Sequence, residues 1–587
     1  MQKSNLVEYV VISLYLVFML ITGFIFRHFN KNFNDYFRSG CKGTWWLVGA
    51  SIFMASFTAW TFTGAAGVAY ESGISVSIIF IANAVGYFIN YLITAPLFRQ
   101  MRSVTGPEVI KNRFDTLTQQ IYVWVGVVPG ILMASLTLYA VALFTSAVFG
   151  YNVQILIILL GSVVLIYSAV GGSWSVMATD FLQAMILMPM TVLVTYLSVK
   201  SIGGIGNLIA EIHRQNLPDL LRFVDHRQGS MFTKGYMVAI VCFVLISYNS
   251  LGSSVKFFAC KDGKEAKKAA LLAGVLMLGG AVLWFLPPMV ARLKFASFVE
   301  AIGKGQNVIK PADGSYAVIA MQLLPMGLTG MMVVAMFSAT MSSLSPALNQ
   351  YAAIITQDVY KPFFRPKCSQ KEMFVVGQIT SIIVGTLIIL SAVYLSRVPG
   401  KSLFKYMMDF GSLFGTPLLV PMFLGFFIKK TPRWAAIPSI FFGFICSYIG
   451  WKSGWSYERN VFTILIIGST AYLITMFFWK NTASDYKERV NKFFGVMKTT
   501  VNFSEEVGSE TDASQLKLVG YVLLSIGAFL SLCLFLPNPL SGRLQILFIS
   551  GSIMAFGILM ILTGYLREKK YLKEKSQNVN DDSRINR

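Results

Sequence analysis

Long apolar runs recur from one end of the chain to the other, with short polar segments between them. An α-helix needs about 20 apolar residues to cross the roughly 30 Å of hydrocarbon in a bilayer. Runs near this length predict an all-α polytopic membrane protein with about fifteen spans and little chain left for a soluble domain. The predicted spans are 7–26, 45–67, 76–98, 119–148, 152–170, 179–199, 236–255, 270–291, 317–355, 373–395, 404–428, 435–451, 461–479, 517–536 and 545–566.

One predicted span contains the polar stretch SATMSSLSPALNQ at 338–350. Polar side chains at membrane depth are costly unless they bind something. In a helix Ser342, Ser345 and Asn349 share one face, and Pro346 leaves the carbonyl oxygen four residues before it without a helical donor. Hydroxyl and carbonyl oxygens without a carboxylate suit a small hard cation better than a proton. Serines that only bond carbonyls of their own helix are the alternative.

The second and seventh predicted spans are interrupted by small and polar residues. The second reads WWLVGASIFMASFTAWTFTGAAGVAYESG, and the seventh reads YMVAIVCFVLISYNSLGSSVKFF. Interrupted helices at matching places in two halves of a chain indicate an inverted-repeat transporter with its site near the membrane midplane. Small residues that let helices pack closely are the alternative explanation.

An acidic residue, Asp180, begins the sixth predicted span, shortly after the Gly-Gly pair of AVGGSWSVMATDFLQ at 169–183. A carboxylate at an interfacial helix start is favoured by the helix dipole. A cation position near the inner mouth of a transport path is the functional interpretation. The residues alone leave both interpretations open.

The distribution of charged residues indicates how the chain is oriented in the membrane rather than what it binds. The chain has 49 Lys and Arg against 27 Asp and Glu, a net charge of +22, although only 13% of its residues are charged and 55% are hydrophobic. Most of the basic residues fall in alternate loops. The positive-inside rule therefore predicts a multi-pass protein of the plasma (inner) membrane, with its N-terminus outside and its C-terminus in the cytoplasm. This placement argues against nucleic-acid binding and makes the lipid bilayer the partner of the basic loops.

The residue types needed for catalysis or a tightly bound metal are not grouped in this chain. Six cysteines are scattered without a CxxC pair, which predicts neither a disulfide framework nor a zinc site. The three histidines lie outside the predicted spans. A membrane-embedded transferase would need clustered His, Asp or Glu in or near the spans, so an enzyme is not expected and no catalytic residue is predicted.

Several segments, taken together and in order, resemble the sodium:solute symporters, the family that includes sodium/glucose, proline, pantothenate and sialic-acid transporters. The resemblance covers roughly residues 35–430. The segments are DYFRSG and WWLVGAS within 35–51, AAGVAY at 65–70, TGPEVIKNRF at 105–114, AVGGSWSVMATDFLQ at 169–183, CKDGKEAKKA at 260–269, SATMSSLSPALNQYAAIITQDVY at 338–360, and GTPLLVPMFLGFFIKK at 415–430.

The resemblance implies a LeuT-type core of ten helices in two inverted sets of five, with one extra N-terminal helix and four extra C-terminal helices. On that basis the chain divides into an N-terminal extra span with its inside loop, two inverted repeats, two further spans, an inside linker, two C-terminal spans and a charged inside tail. The boundaries are 1–44, 45–235, 236–430, 431–480, 481–516, 517–566 and 567–587.

The resemblance also implies a sodium site where the broken first core helix meets the eighth. Matched residue by residue, the ion is expected between the main-chain oxygens of Met54, Phe57 and Ala339 and the side chains of Ser342 and Ser343.

Some members of the family hold a second sodium ion near positions that match Asp180 and Ser345. In this chain Pro346 stands where a further hydroxyl residue would complete that second set. Asp180 and Ser345 are therefore candidates for either a second cation position or the exit path.

The solute-binding positions depart from those of the sugar transporters. The sugar-binding Gln of the family corresponds to Thr61, and the sugar-binding Glu corresponds to Phe80, so a hexose bound in the family's known manner is not expected. The candidate lining residues are Thr58, Trp60, Thr61, Asn83, Tyr248 and Asn249.

The predicted function is sodium-coupled uptake of a small organic solute by alternating access, with sodium as the coupling ion and the monomer as the working unit. A proton-coupled carrier that titrates Asp180 is one alternative. A sensor or channel built on the same scaffold is another. The sequence does not identify the solute or the number of sodium ions.

Overall fold

The computed structural model of the chain describes residues 6–26, 32–225, 227, 230–305, 310–397, 403–506 and 512–585. Within these ranges the chain forms helices and no named β-strand, and one isolated bridge pairs Gly43 with Cys260. We number the main helices in chain order. They are α1 (Leu6–Phe26), α2 (Trp45–Ser56), α3 (Gly64–Ser72), α4 (Ser77–Ile89), α5 (Thr116–Phe149), α6 (Val153–Ser201), α7 (Lys234–Tyr248), α8 (Gly263–Leu283), α9 (Leu328–Ile354), α10 (Gln370–Leu395), α11 (Leu403–Phe410), α12 (Thr416–Phe427), α13 (Ala436–Lys452), α14 (Tyr457–Ile474), α15 (Ser484–Lys498), α16 (Ala513–Ser531) and α17 (Leu540–Ile585).

The helices agree with the predicted membrane spans, since each predicted span overlaps a helix. In the described residues, 10 helices are long and apolar enough to cross a membrane, or 11 if the bent pair at α7 is one span, and three shorter apolar helices accompany them. The bounds of the ninth predicted span were wrong. The predicted span 317–355 is divided, because a short helix ends at Leu323 and α9 begins at Leu328, after Gly327 turns the chain at φ 91°.

Helix α6 contains two predicted spans, which are joined by a kink. The direction changes at Gly172, whose φ of 56° and ψ of −158° lie outside the helical region. A Cβ atom at this position would stand 2.6 Å from Cδ2 of Tyr36. Glycine is therefore required both by the backbone conformation and by the close approach of the tyrosine ring.

The two predicted interruptions are confirmed. Helix α2 ends at Ser56, Phe57 is extended (φ −115°, ψ 114°), and the chain then passes through a short helix to α3. Helix α7 ends at Tyr248 and is followed by a 3-10 helix, Leu251–Phe257, at an angle of 58°. Backbone oxygens at such breaks lack the regular helical donor and can serve a ligand.

Helix α9, which contains the polar stretch, lies in the middle of the bundle against α1, α2, α5, α6 and α10. Its N-terminal end is held by Glu8 of α1, whose carboxylate accepts hydrogen bonds from the backbone N–H groups of Gly327, at 2.7 Å, and Gly330. The carboxylate thus caps the N-terminus of α9 from another helix, where the free N–H groups and the dipole favour a negative charge.

The predicted inside linker packs on the end of the bundle formed by the predicted inside loops. In α15, the Tyr486 hydroxyl accepts a hydrogen bond from Nη1 of Arg113 at 2.9 Å. Further along, Glu506 pairs with Arg102 at 2.6 Å. The linker is therefore attached to the short helix Gly106–Arg113 and to the loop before it.

Candidate cation and solute sites

Three oxygen atoms of the predicted sodium site lie together where α2 meets α9. The hydroxyl oxygen of Ser342 is 3.1 Å from the carbonyl oxygen of Met54 and 2.9 Å from that of Ala339. All three residues are fully buried. Neutral hydroxyl and carbonyl oxygens are the donor types that a small hard cation accepts.

The other two predicted members flank this group. Phe57 is at the break itself, and its N–H donates to the carbonyl of Met54 at 3.1 Å. The Ser343 hydroxyl donates to the carbonyl of Thr340 at 2.8 Å, and Ser343 lines a cavity of about 300 Å³. Ser343 therefore stands between the buried oxygen group and the cavity.

Asp180 lies within α6, beyond the kink, and is fully buried. The prediction that Asp180 begins the sixth span is therefore wrong, because the second part of α6 already starts after the kink at Gly172. One carboxylate oxygen accepts a hydrogen bond from Ser51 of α2. The other, Oδ1, has no hydrogen-bond partner among the described residues.

Ser345 faces a different neighbour from Ser342, although the two share one side of α9. Its hydroxyl contacts the hydroxyl of Tyr167 in the first half of α6, and it also donates to the carbonyl of Met341 at 2.7 Å. No direct hydrogen bond joins Ser345 to Asp180 in the described structure. The two candidates for a second cation therefore have different partners: Asp180 contacts Ser51 of α2, and Ser345 contacts Tyr167 of α6.

Sequence reasoning missed the contribution of α1. The hydroxyl of Tyr15 is 2.8 Å from that of Ser338, and it accepts a hydrogen bond from Gln183 at 3.2 Å. The signal was present in the sequence, since Glu8, Tyr15 and Thr22 recur every seven residues and so share one helix face. All three are buried, which makes this face the one that packs on the core.

The predicted solute residues fall into two groups. In the first, Trp60, Thr61 and Asn83 are buried beside an aromatic cluster. The Trp60 ring stacks on Phe80 at 6.4 Å, and Phe80 lies 5.3 Å from Trp284. Thr61 Oγ1 has no hydrogen-bond partner in the described part of the chain, and neighbouring Thr58 is half-buried at the α2 break.

The second group surrounds the α7 break. Asn249 contacts the helical turn Asn90–Thr94 that directly follows α4. Its Oδ1 accepts hydrogen bonds from Asn90 and Thr94, each at 2.9 Å. The Tyr248 ring lies 4.6 Å from that of Tyr87. Tyr87 was not predicted as part of a site, because a tyrosine within an apolar span has no pattern that separates it from the core.

Two cavities lie on opposite sides of these groups. One of about 870 Å³ is lined by residues from predicted outside loops, including Asp225 and Lys310. The cavity of about 300 Å³ is lined by residues from predicted inside loops, including Arg38 and Thr105, as well as by Ser343. Ser343, the neighbour of Ser342 in the chain, lines the second cavity, whereas Met54, Ala339 and Ser342 do not.

A short helix, Pro311–Gly314, packs on α3. A Cβ atom at Gly67 would stand 2.3 Å from Oδ1 of Asp313, so the carboxyl group packs directly on this glycine. Burial raises the pKa of Asp313 to about 7, while Lys310 lowers it and Glu71 raises it further. The carboxyl group at this contact therefore changes charge near neutral pH.

Comparisons with known proteins agree with this architecture. A model described as the sodium:solute symporter family matches residues 36–443. The chain is similar to the osmoregulated proline transporter OpuE of Bacillus subtilis (strain 168), with 25% identity over 83% of this chain and 97% of the relative. It is also similar to a sodium/glucose cotransporter of Vibrio parahaemolyticus, with 26% identity over 69% of this chain and 77% of the relative.

A solved structure of a Na+-coupled sialic acid symporter, in a substrate-bound outward-open state, shares the fold. Its TM-score is 0.69 with 20% identity, over 82% of this chain and 99% of that one. This likeness, together with the helical architecture, confirms the predicted LeuT-type fold.

Proposed function

This chain belongs to the sodium:solute symporter family, and we propose that it couples solute import to a sodium ion held where the α2 break meets α9. It is a multi-pass membrane protein and a secondary active transporter rather than an enzyme, sodium is its coupling ion, and its partner is a small-molecule solute. The observation that supports the sodium position is the convergence of Ser342 Oγ with the carbonyl oxygens of Met54 and Ala339 within 3.1 Å.

Sodium at this place would join two elements that must separate during transport. Met54 and Phe57 belong to the end of α2 and its break, while Ala339, Ser342 and Ser343 belong to α9. An ion shared by both elements stabilises the conformation in which they are close. Because a ligand shifts a conformational equilibrium only by its differential affinity, binding across this interface is what lets sodium drive the transport cycle.

The cavity of about 300 Å³ gives this site a release path. Ser343 lines it at one end, and Arg38 and Thr105 line it toward the predicted inner face. We propose that sodium leaves past Ser343 into this space, while the larger cavity on the opposite side admits solute from outside. The solute then binds beside the breaks, next to Thr58, Trp60, Thr61, Asn83, Tyr248 and Asn249.

The orientation and assembly follow from charge and family resemblance. We place the N-terminus outside and the C-terminus in the cytoplasm of the plasma (inner) membrane, because most Lys and Arg lie in alternate loops. The three oxygens that support the sodium position, from Met54, Ala339 and Ser342, all belong to one chain, and on that ground we propose the monomer as the working unit.

Asp180 supports a second candidate for the coupling chemistry. It is fully buried, and its Oδ1 lacks a hydrogen-bond partner among the described residues. A carboxylate in this setting binds either a second cation or a proton. A proton-coupled carrier would accumulate solute on a pH gradient without sodium, whereas the sodium carrier would not.

The test is the sodium dependence of the Ser343→Ala variant. Thermal unfolding of the purified full chain is measured over a sodium chloride titration, with choline chloride keeping the ionic strength constant. Loss of a ligand oxygen is expected to raise the sodium concentration for half-maximal stabilisation roughly 10- to 100-fold. The unfolding temperature without sodium should change little, since the hydroxyl bonds only a carbonyl of its own helix.

Ser525→Ala is the matched control. Ser525 also donates to a carbonyl of its own helix, that of Tyr521 at 3.0 Å, but it is exposed on α16. It should retain the wild-type sodium titration. An identical titration for wild type, Ser343→Ala and Ser525→Ala would reject the proposed sodium position.

A further inference from the structure

A lysine stands beside the proposed transport path without a carboxylate partner. Lys256 lies on the 3-10 helix Leu251–Phe257 that follows the α7 break. Its Nζ is 4.8 Å from the ring centre of Tyr248 and 5.6 Å from that of Tyr87, and it donates to the Tyr87 hydroxyl at 3.4 Å. No carboxylate among the described residues forms an ion pair with it.

The cavity that Lys256 lines is basic. Arg38 is the other charged residue in its lining, and no Asp or Glu among the described residues joins them. Ser51, Ser343 and Asn349 supply neutral polar groups to the same space. Both polar atoms of the Asn349 amide are buried without a hydrogen-bond partner in the described structure. The cavity therefore offers two positive charges and unused hydrogen-bonding capacity.

This combination discriminates between classes of solute. A cationic solute would be repelled by both charges in a space where screening by water is weak. An uncharged polyol could bond Asn349 and the serines, but it would leave the ammonium group of Lys256 without a counter-charge. An anion pairs with that ammonium through a charge-assisted hydrogen bond, which is the stronger kind. The two tyrosine rings stabilise the cation but do not neutralise it.

We propose, on the basis of the sodium-coupled import described above, that the transported solute is a small carboxylate whose charged group pairs with Lys256 in the inner cavity. Arg38 already donates to the carbonyl oxygens of Arg102 and Ser103, so Lys256 is the cation left for the solute. A single ammonium between two rings is a point charge suited to a monoanionic group, whereas phosphate sites commonly use several donors or a bidentate arginine. The cavity of about 300 Å³ fits a small organic acid.

The pairing also explains how release can be coupled. A sodium ion that enters this cavity alone faces Lys256 and Arg38, both positive. A carboxylate beside Lys256 cancels one of these charges and lowers the barrier for the ion. Sodium and solute therefore leave together more easily than sodium leaves by itself.

The test uses acids and their uncharged amides. Thermal unfolding of the full chain is measured in sodium chloride and in choline chloride with lactate and lactamide, pyruvate and pyruvamide, benzoate and benzamide, and nicotinate and nicotinamide. At least one acid should stabilise the wild-type protein in sodium, and its amide should not. Lys256→Met should weaken the apparent affinity for that acid about 10- to 100-fold, and Lys256→Arg should weaken it less.

Lys264→Met is the matched control, because it removes a lysine from an exposed position of α8 outside the cavity. It should bind the acid as the wild type does. Stabilisation by an amide equal to that by its acid, a failure of every acid, or equal acid affinity in wild type and Lys256→Met would each overturn the carboxylate proposal. Any of these results could occur while sodium still stabilises the wild-type protein, so the sodium proposal would stand. Loss of all sodium-dependent stabilisation would instead reject the sodium site itself.

Discussion

The cap that Glu8 provides to α9 can be tested by removing its carboxylate. Glu8 is only 5% exposed, and its two oxygens accept hydrogen bonds from the N–H groups of Gly327 and Gly330. Glu8→Ala leaves both N–H groups buried without these acceptors. Glu8→Gln keeps one acceptor oxygen but turns an NH2 group toward the second N–H. The N-terminal end of α9, the helix that carries Ser342 and Ser343, is thereby destabilised.

The magnitude follows from the two lost hydrogen bonds. A buried N–H group left without an acceptor costs about 1–3 kcal/mol, and loss of a helix N-cap costs about 0.5–2 kcal/mol. Glu8→Ala should therefore destabilise the protein by roughly 2–4 kcal/mol, since two bonds are lost at one cap. Glu8→Gln should cost about half as much, because one of the two bonds survives.

The assay is thermal unfolding of the purified protein in detergent, followed by tryptophan fluorescence. Glu300→Gln is the control, since Glu300 is an exposed carboxylate of the short helix Ala296–Gly305. Wild type and Glu300→Gln should share the highest unfolding temperature, Glu8→Gln should unfold at a lower temperature, and Glu8→Ala should unfold at the lowest. If Glu8→Ala unfolds at the same temperature as Glu300→Gln, the capping role is wrong.

Two further predictions concern buried carboxyl groups. Burial raises the pKa of Asp313 from its ordinary 3.8 to about 7, so the packing of Pro311–Gly314 on α3 is most stable with the group protonated. That stability should fall as the pH rises from about 3.8 to about 7, because the group is then protonated in the folded protein and ionised in the unfolded chain, and it should level off above about 7. Asp313→Asn should flatten this part of the pH profile of the unfolding temperature; an unchanged profile would contradict the assignment. Asp180→Asn should raise the sodium concentration needed for half-maximal stabilisation. The rise should be the same in sodium titrations at acidic and at neutral pH. Solute uptake by the wild type on a pH gradient alone would instead favour the proton-coupled alternative.

The parts of the fold that the sequence predicts are those with a strong periodic or positional signal. Apolar runs of membrane-spanning length identify helices such as α5 and α10, and the polar breaks in the second and seventh spans identify the interruptions at Phe57 and Tyr248. These signals are local, because an apolar run or a break is visible within one segment. The division before α9 was missed because Gly327 stands among apolar residues that do not interrupt the hydrophobic pattern.

Contacts between distant segments carry much weaker signals. The convergence of Ser342 with Met54 could be expected from resemblance, but the residues alone gave only a polar face on α9. The packing of Tyr15 against Ser338 depends on how α1 docks, which no single segment determines. Lys256 directly follows the seventh predicted span, 236–255. Its position against two tyrosine rings requires the bend of 58° after α7, whose direction the sequence does not specify.

Direct binding of radioactive sodium to the purified protein tests the central claim, that sodium is held by oxygens of the α2 break and α9. Wild type and Ser525→Ala should bind the ion with equal affinity, and an excess of potassium should not displace it. Ser342→Ala and Ser343→Ala should each bind it roughly 10- to 100-fold more weakly. Wild-type sodium affinity in both of these α9 variants would contradict the account.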